Sequence, residues 1–475
     1  MKCAIPFSST SAVRERGPLA PSLSRGSVLV IVMWICLGLV ALTLYFANSM
    51  SSELRAADNR ITEVSARQAI AGGIRYASYV LAQHATGGAV PLIEDYKAEA
   101  LPVGDALFWF IGRNTDDLPQ AQLYEPYFAL VDEGSKLNLN TVTSAMLQAL
   151  PLPSMTAEFA DAIVAWRSAT SQNSANMDNL YSQLDPPRHN KGAPYETVDE
   201  LRLINGAMLD VILGEDTNRN GVLDANEDDG DASAPRDDQN GQLLAGLLEY
   251  VTVYSRVPAT SASGSRRLNV TALTTQQARQ QMQTRLTQRG ISTPRAAQML
   301  ARIPFNPRLP QNPSTITSVA DFMVTTQMTA DEFVLVHTDL TASAANNGAA
   351  PGLVNVNTAG EAVLACIPGI GTDRAAALVS YRRTNPTALT SMAWLTQVMS
   401  PAQIRQAGRY LTDQSYQFSA DIAGVAANGR GYCREKVVFD TSTSTPRIVY
   451  RQDLTSFGWA LGAMTRRALN GTRDI

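Results

Sequence analysis

Histidine is nearly absent from this chain, three among 475 residues, and none sits in an HExxH pattern or a helical pair. That removes the usual basis for histidine-centred metal catalysis. Cysteine is almost as scarce: the four, at positions 3, 36, 366 and 433, form no CxxC, which excludes a zinc ribbon or a thioredoxin-like motif. No GxSxG, P-loop or dinucleotide fingerprint occurs, nor a carboxylate pair whose spacing marks it as catalytic, so the residues read as a non-enzyme. Charge is also sparse, at 17% of residues, yet the 45% apolar content opposes intrinsic disorder. The net charge is −4, and Lys2, Arg14, Arg16 and Arg25 against Glu15 make the first 26 residues +3, leaving −7 for the remainder. An acidic body is a poor electrostatic partner for nucleic acid, where phosphate neutralisation dominates binding.

What the chain does have begins near its start. Residues 27–52 carry no charge, and 28–46 are almost wholly apolar. A helix of that length spans about 28 Å, enough for a bilayer core. Basic residues precede the run and the body follows it, which places the N-terminus in the cytoplasm and the body outside. The processing signal lies before the apolar run, at Arg25-Gly26-Ser27, so 1–26 reads as a leader peptide. Residues 27–85 read as one helix, membrane-spanning and then amphipathic, with Leu54, Ile61, Val64 and Ile70 near helical spacing.

Strand patterns follow at 107–111, 127–132 and 136–140, and return at 416–422, 435–440 and 447–450. Between them, 141–410 reads mostly helical, with polar loops at 170–194, 214–241 and 257–266. The expected fold is α+β: one small antiparallel sheet, built from 86–140 and 411–475, interrupted by a large helical insertion. A weak repeat runs through that insertion. Leu137-Asn-Leu-Asn-Thr141, Leu268-Asn-Val-Thr271 and Val354-Asn-Val-Asn-Thr358 each lead into a helix, with the threonine placed as its N-cap.

The sharpest local signal is Asp216-Thr-Asn-Arg-Asn-Gly-Val-Leu-Asp-Ala-Asn-Glu227, which matches the EF-hand loop at every specified position. Asp216, Asn218, Asn220, the Val222 carbonyl, Asp224 and Glu227 are candidate oxygen ligands for Ca2+, and Gly221 permits the sharp turn. Residues 198–213 are the candidate entering helix, whereas the acidic run after Glu227 makes a poor exiting one. This predicts a lone structural loop within 214–231, with Asp228, Asp229 and Asp231 as candidate supplements; the bland alternative is a solvated acidic turn.

Residues 355–383 look like a helix-hairpin-helix. There the hairpin at 368–371 could hold a phosphate on backbone amides, supported by Arg374, Arg382 and Arg383, or could merely pair two helices. Arginines 279, 285, 289, 295, 302 and 308 read as a solvated helix face. Cys366 and Cys433 are candidates for a disulfide in an oxidising compartment.

Taken with the leader, Asp132-Glu-Gly-Ser-Lys-Leu-Asn-Leu-Asn-Thr141, Tyr195-Glu-Thr-Val-Asp-Glu-Leu-Arg-Leu-Ile-Asn-Gly206 and Val354-Asn-Val-Asn-Thr-Ala359 resemble the type II secretion system protein K family, the large minor pseudopilins. Ile31, the fifth residue after the expected cut, stands where most pilin-like subunits carry glutamate, and the K family characteristically lacks it. The resemblance implies a pilin-like sheet with an inserted α-domain, calcium in that domain, and cleavage between Gly26 and Ser27 by prepilin peptidase, followed by methylation. It also implies a single-pass inner-membrane protein with a periplasmic body, at the tip of the pseudopilus with minor pseudopilins I and J. The competing expectation is a pilin-like DNA-binding protein of a competence or type IV pilus system using the hairpin.

Overall fold

A computed structural model of the chain describes residues 25–113, 126–170, 172–261, 263–309, 311–343, 350–426, 429–443 and 445–471. The leader expected over 1–26 lies outside them except for its last two residues. The chain divides into two compact units at Arg60/Ile61. In the first, the helix Arg25–His84 begins, with Gly26 and Ser27 in its first turn. Its apolar residues from Val28 to Phe46 face outward, as a segment solvated by lipid would.

In the second unit the same helix lies on a sheet. Its inner stripe is made of small residues, Ala66, Ala69, Ala77, with Ile70 and Leu81, packed on Phe108, Phe110, Phe418, Ile422 and Phe439. Burying each aromatic or Ile side chain there contributes about 1.5–3 kcal/mol. Small residues let the backbones approach: a Cβ at Gly424 would come within 2.4 Å of the Ala66 carbonyl.

Six strands form the sheet: β1 (Leu101–Val103), β2 (Ala106–Phe110), β3 (Val131–Asp132), β4 (Gln417–Ala426), β5 (Cys433–Asp440) and β6 (Arg447–Asp453). Their order is β1-β2-β4-β5-β6, with β3 also on β4, and every pairing is antiparallel. The first half of β4 pairs with β3 and the second with β2, so the long central strand joins both ends of the chain. Alternation along β4 sorts its two faces. Phe418, Ala420 and Ile422 meet the helix, while Ala423 and Val425 pack with Trp109, Ile111, Ala460 and Leu461 on the opposite face. The fold is therefore α+β, with strands from before and after a helical insertion sharing one sheet.

The insertion is built on a threefold repeat stronger than its sequence trace. Leu137–Asn138, Leu268–Asn269 and Val354–Asn355 each form a two-residue parallel pair, with Val251–Thr252, Leu340–Thr341 and Leu411–Thr412 respectively. The strand expected at 136–140 thus serves the first repeat and not the main sheet. In each copy the asparagine oxygen accepts from the backbone N–H two residues on, at 2.8, 2.8 and 2.9 Å.

The threonines are not the helix caps that the sequence suggests. Thr143 and Thr275 cap the first two helices by accepting from Met146 and Ala278, and Gly360 begins the third. Thr141, Thr271 and Thr358 fall inside the asparagine turn, whose local bond competes with helical geometry, and each helix is capped two or more residues later. The loop expected at 170–194 also contains a helix, Gln172–Ser182. The first and third repeats share one large core that includes Trp166, Phe333 and Trp394, while the middle one has its own around Leu286, Phe322 and Val336.

Candidate functional site

The acidic loop hangs from the first repeat. It is entered by a single helical turn, Leu209–Ile212, after the 3-10 turn Val198–Leu203, so the continuous entering helix expected over 198–213 is absent. Within the loop, side-chain oxygens capture backbone amides. Asn220 N–H and Gly221 N–H donate to the two Asp216 oxygens at 2.9 Å each, Asn220 N–H also to Asn218 Oδ1 at 3.0 Å, and Val222 N–H to Asn220 Oδ1 at 2.8 Å. Glu227 closes the turn by accepting from Thr217 N–H at 2.8 Å and Asp224 N–H at 3.1 Å. The Asn218 and Asn220 amides both donate to Asp224 Oδ2, at 2.6 and 3.0 Å. Gly221 takes φ +76°, the left-handed region, as its place in the motif requires.

The structure thus brings Asp216, Asn218, Asn220 and Glu227, all buried, and the half-buried Asp224 together in an oxygen-rich turn, with Val222 at its base. Burial pushes the carboxyls of Asp216 and Glu227 up, with Arg113 acting against the shift at Asp216. Buried carboxylates that Arg113 compensates only in part, together with an all-oxygen donor set, fit a hard cation of calcium size. Among the described residues no three His, Cys, Asp or Glu side chains group as a metal cluster. A cation here would therefore draw on the Asn218 and Asn220 oxygens as well as on carboxylates. The neighbouring acids serve other turns. Asp237 accepts from Asp229 N–H and Gly230 N–H, Asp229 from Ser233 N–H, and Asp231 pairs with Arg236.

Two arginines that the sequence did not mark fasten this loop to the sheet. Arg434, on β5 and fully buried, donates to both oxygens of Asp421 on β4 at 2.8 and 2.6 Å. It also donates to the Asn218 carbonyl, and to the Arg219 carbonyl at 2.9 Å. Arg113, following β2, donates to the Arg219 carbonyl at 3.1 Å and lies 3.5 Å from Asp216 and 2.9 Å from Glu249. The sequence signal was a charged residue, Asp421, in a strand that carries no other charge.

A second constellation sits where the sheet hands over to the insertion. Asp132, at the end of β3, accepts from Gly134 N–H at 2.7 Å, Ser415 Oγ at 2.6 Å, Thr358 Oγ1 at 2.5 Å and Asn355 Nδ2 at 3.4 Å. One carboxylate thus ties the start of the first repeat to both ends of the third. Burial pushes it up to about 6. Burial acts the same way on Glu133, but Lys436, 3.6 Å away, and Lys136 overcome it and hold that carboxyl at about 2. The Asp132–Thr141 and Val354–Ala359 motifs are therefore two sides of one structural joint.

The helix-hairpin-helix is present as the helices Glu361–Ala365 and Gly371–Thr384. Arg382, expected as a phosphate contact, is 1% exposed and donates to the carbonyls of Val356 and Ala359, both at 2.8 Å. Arg167 makes the corresponding bonds in the first repeat, to Leu139 and, at 2.5 Å, Val142. These arginines staple their own repeat, and Arg374 donates to Ile370 of its own hairpin at 3.3 Å. The expected Cys366–Cys433 disulfide is not formed. Both thiols are free, Cys366 in the insertion's core with its Sγ donating to Ala362 O and Cys433 against the long helix.

An outward-facing apolar helix long enough to cross a membrane, an antiparallel sheet and a repeat-built insertion define an α+β class with a candidate membrane anchor. Within that class, residues 129–212 match the family model described as type II secretion system (T2SS), protein K. Over this segment, which holds the Asp132 joint and most of the first repeat, the chain is similar to protein K, in line with the resemblance read from its motifs. No curated protein matches the sequence. Among solved structures, the chain is similar to the GspK-GspI-GspJ complex from the enterotoxigenic Escherichia coli type 2 secretion system, at 10% identity and a TM-score of 0.35, covering 85% of this chain and 99% of that one.

Proposed function

We propose that the chain is a minor pseudopilin at the tip of a type II secretion pseudopilus, with a structural role in assembly and export and no catalytic one. The observation that carries this reading is the protein K match over 129–212, because it falls on the joint that connects sheet to insertion. In this reading prepilin peptidase cuts between Gly26 and Ser27, the new terminus is methylated, and the apolar helix stays in the inner membrane with the body in the periplasm. Ile31 suits a subunit with none above it. A carboxylate there would be buried without a neighbour's terminal amine to meet it. The partners are then minor pseudopilins I and J, and the 216–227 loop holds a structural calcium ion, with Asp216, Asn218, Asn220, Val222, Asp224 and Glu227 as ligands. The loop's carboxylates repel one another, and a bound cation offsets that repulsion within the first repeat.

The test is co-purification of the full chain, expressed with pseudopilins I and J, from detergent-solubilised membranes. A stoichiometric complex of the three is expected. Recovery of the chain alone, with I and J forming their own complex, would remove the reading. A hairpin-based DNA-binding function gains nothing from the geometry, since Arg382 is spent inside its repeat.

A further inference from the structure

We propose that the 216–227 loop is a latch: a cation held in it fixes the inserted domain onto the sheet, with Arg434 and Arg113 as the connecting residues. The inference rests on reading the loop as a cation site, and it adds a mechanical consequence to that reading.

Arg434 is the centre of the argument. Its side chain is 0% exposed, and its guanidinium is shared between two partners of different origin, the Asp421 carboxylate inside the sheet and two successive carbonyls of the loop. A single guanidinium can donate to both carbonyls only while the backbone at 218 and 219 holds one shape. That shape is unusual: Arg219 takes φ +57°, which a non-glycine residue adopts only when its surroundings enforce it. Arg219 is in turn held over the Phe457 ring at 4.8 Å and lies 3.6 Å from Asp199.

Asn218 makes the connection explicit. Its Oδ1 belongs to the candidate ligand set, its carbonyl meets Arg434, and its Nδ2 donates to the Trp459 carbonyl at 3.2 Å, in the segment after β6. Arg113 forms a second link, contacting Arg219 O and Asp216 together. A Cβ at Gly221 would lie 2.8 Å from its Nε, so the guanidinium rests directly on the motif's glycine.

Without a cation, Asp216, Asp224 and Glu227 repel and the turn opens toward other conformations. The carbonyls of 218 and 219 then leave Arg434, whose buried charge loses half its hydrogen bonds, a costly state that the sheet and the Trp459 segment relax to avoid. Ion binding and docking therefore favour one another. Linkage makes the effect reciprocal: whatever factor the ion adds to docking, docking adds to ion affinity.

The experiment is hydrogen exchange on the full chain in detergent, with calcium and with chelator, combined with a calcium titration. Calcium is expected to slow exchange about tenfold in 216–227 and also in peptides from 433–440 and 454–461, with the middle-repeat helix Gln276–Gln288 unchanged. In Arg434→Lys the loop should still respond while 433–440 and 454–461 no longer do, and the calcium Kd should rise about tenfold. Arg113→Gln, a more exposed site, gives the same pattern in weaker form and serves if the Lys variant does not fold. Calcium slowing exchange in the loop alone would overturn the latch and leave the cation reading standing. Slowing in no segment would overturn both. Transmission that persists in both variants would show that these arginines are not the link.

Discussion

Replacing Asp132 by asparagine tests the joint between sheet and insertion through its pH dependence. The carboxyl is buried, faces Glu133, and sits at about 6 against an ordinary value of 3.8. Because the folded value is the higher one, the native state holds a proton that the unfolded chain has lost between these two values. Stability must then fall as pH rises from about 4 to about 6, and stay at the lower level above that. A difference near two units corresponds to about 3 kcal/mol. The asparagine side chain has no charge to desolvate and retains an oxygen for Gly134 N–H, so Asp132→Asn should lose this part of the slope. Glu133 does not confuse the result, since its depressed value places its loss of stabilisation below about 4.5. The assay is thermal melting of both proteins in chelator at pH 4.5 and 7.0. Wild type should lose a few degrees more than Asp132→Asn between the two conditions. Parallel shifts in the two proteins would refute the reasoning, and would mean that the four hydrogen bonds keep Asp132 ionised throughout.

Two further outcomes follow from the loop and the leader. Calcium should raise the melting midpoint of the wild type, by up to about 2.7 kcal/mol of stabilisation at a hundredfold excess over Kd. Asp216→Ala should abolish that shift and Glu227→Gln weaken it; identical midpoints with calcium and chelator in a metal-free preparation would reduce the loop to an acidic turn. Intact-mass analysis of the membrane-extracted protein should show a chain beginning at Ser27 with a methylated amine, whereas an intact Met1 would reject cleavage at Gly26.

The elements legible in the sequence were those whose physics is local. The long helix follows from an uncharged run and a 3.6-residue stripe, and β4, β5 and β6 from segments rich in β-branched and aromatic residues. The turn at 216–227 follows from oxygen-bearing side chains at alternate positions, because the bonds that shape it lie largely within twelve residues. The threonine caps failed for the same local reason, since Asn138, Asn269 and Asn355 each bond the amide two residues on and hold the chain in a turn where the helix was expected to begin.

Tertiary structure decided everything that depends on partners far apart in the chain. Asp132 meets Ser415 across 283 residues and Arg434 meets Asn218 across 216, and no periodicity in either segment encodes such a meeting. The same is true of Cys366 and Cys433, which share an oxidising compartment in the sequence argument but lie in different hydrophobic cores. Arg382 looked like a phosphate contact because spacing reports which residues are near a hairpin, but not which way they face. Only packing turned it inward, where two repeat carbonyls needed a donor and burial made leaving them unpaired costly.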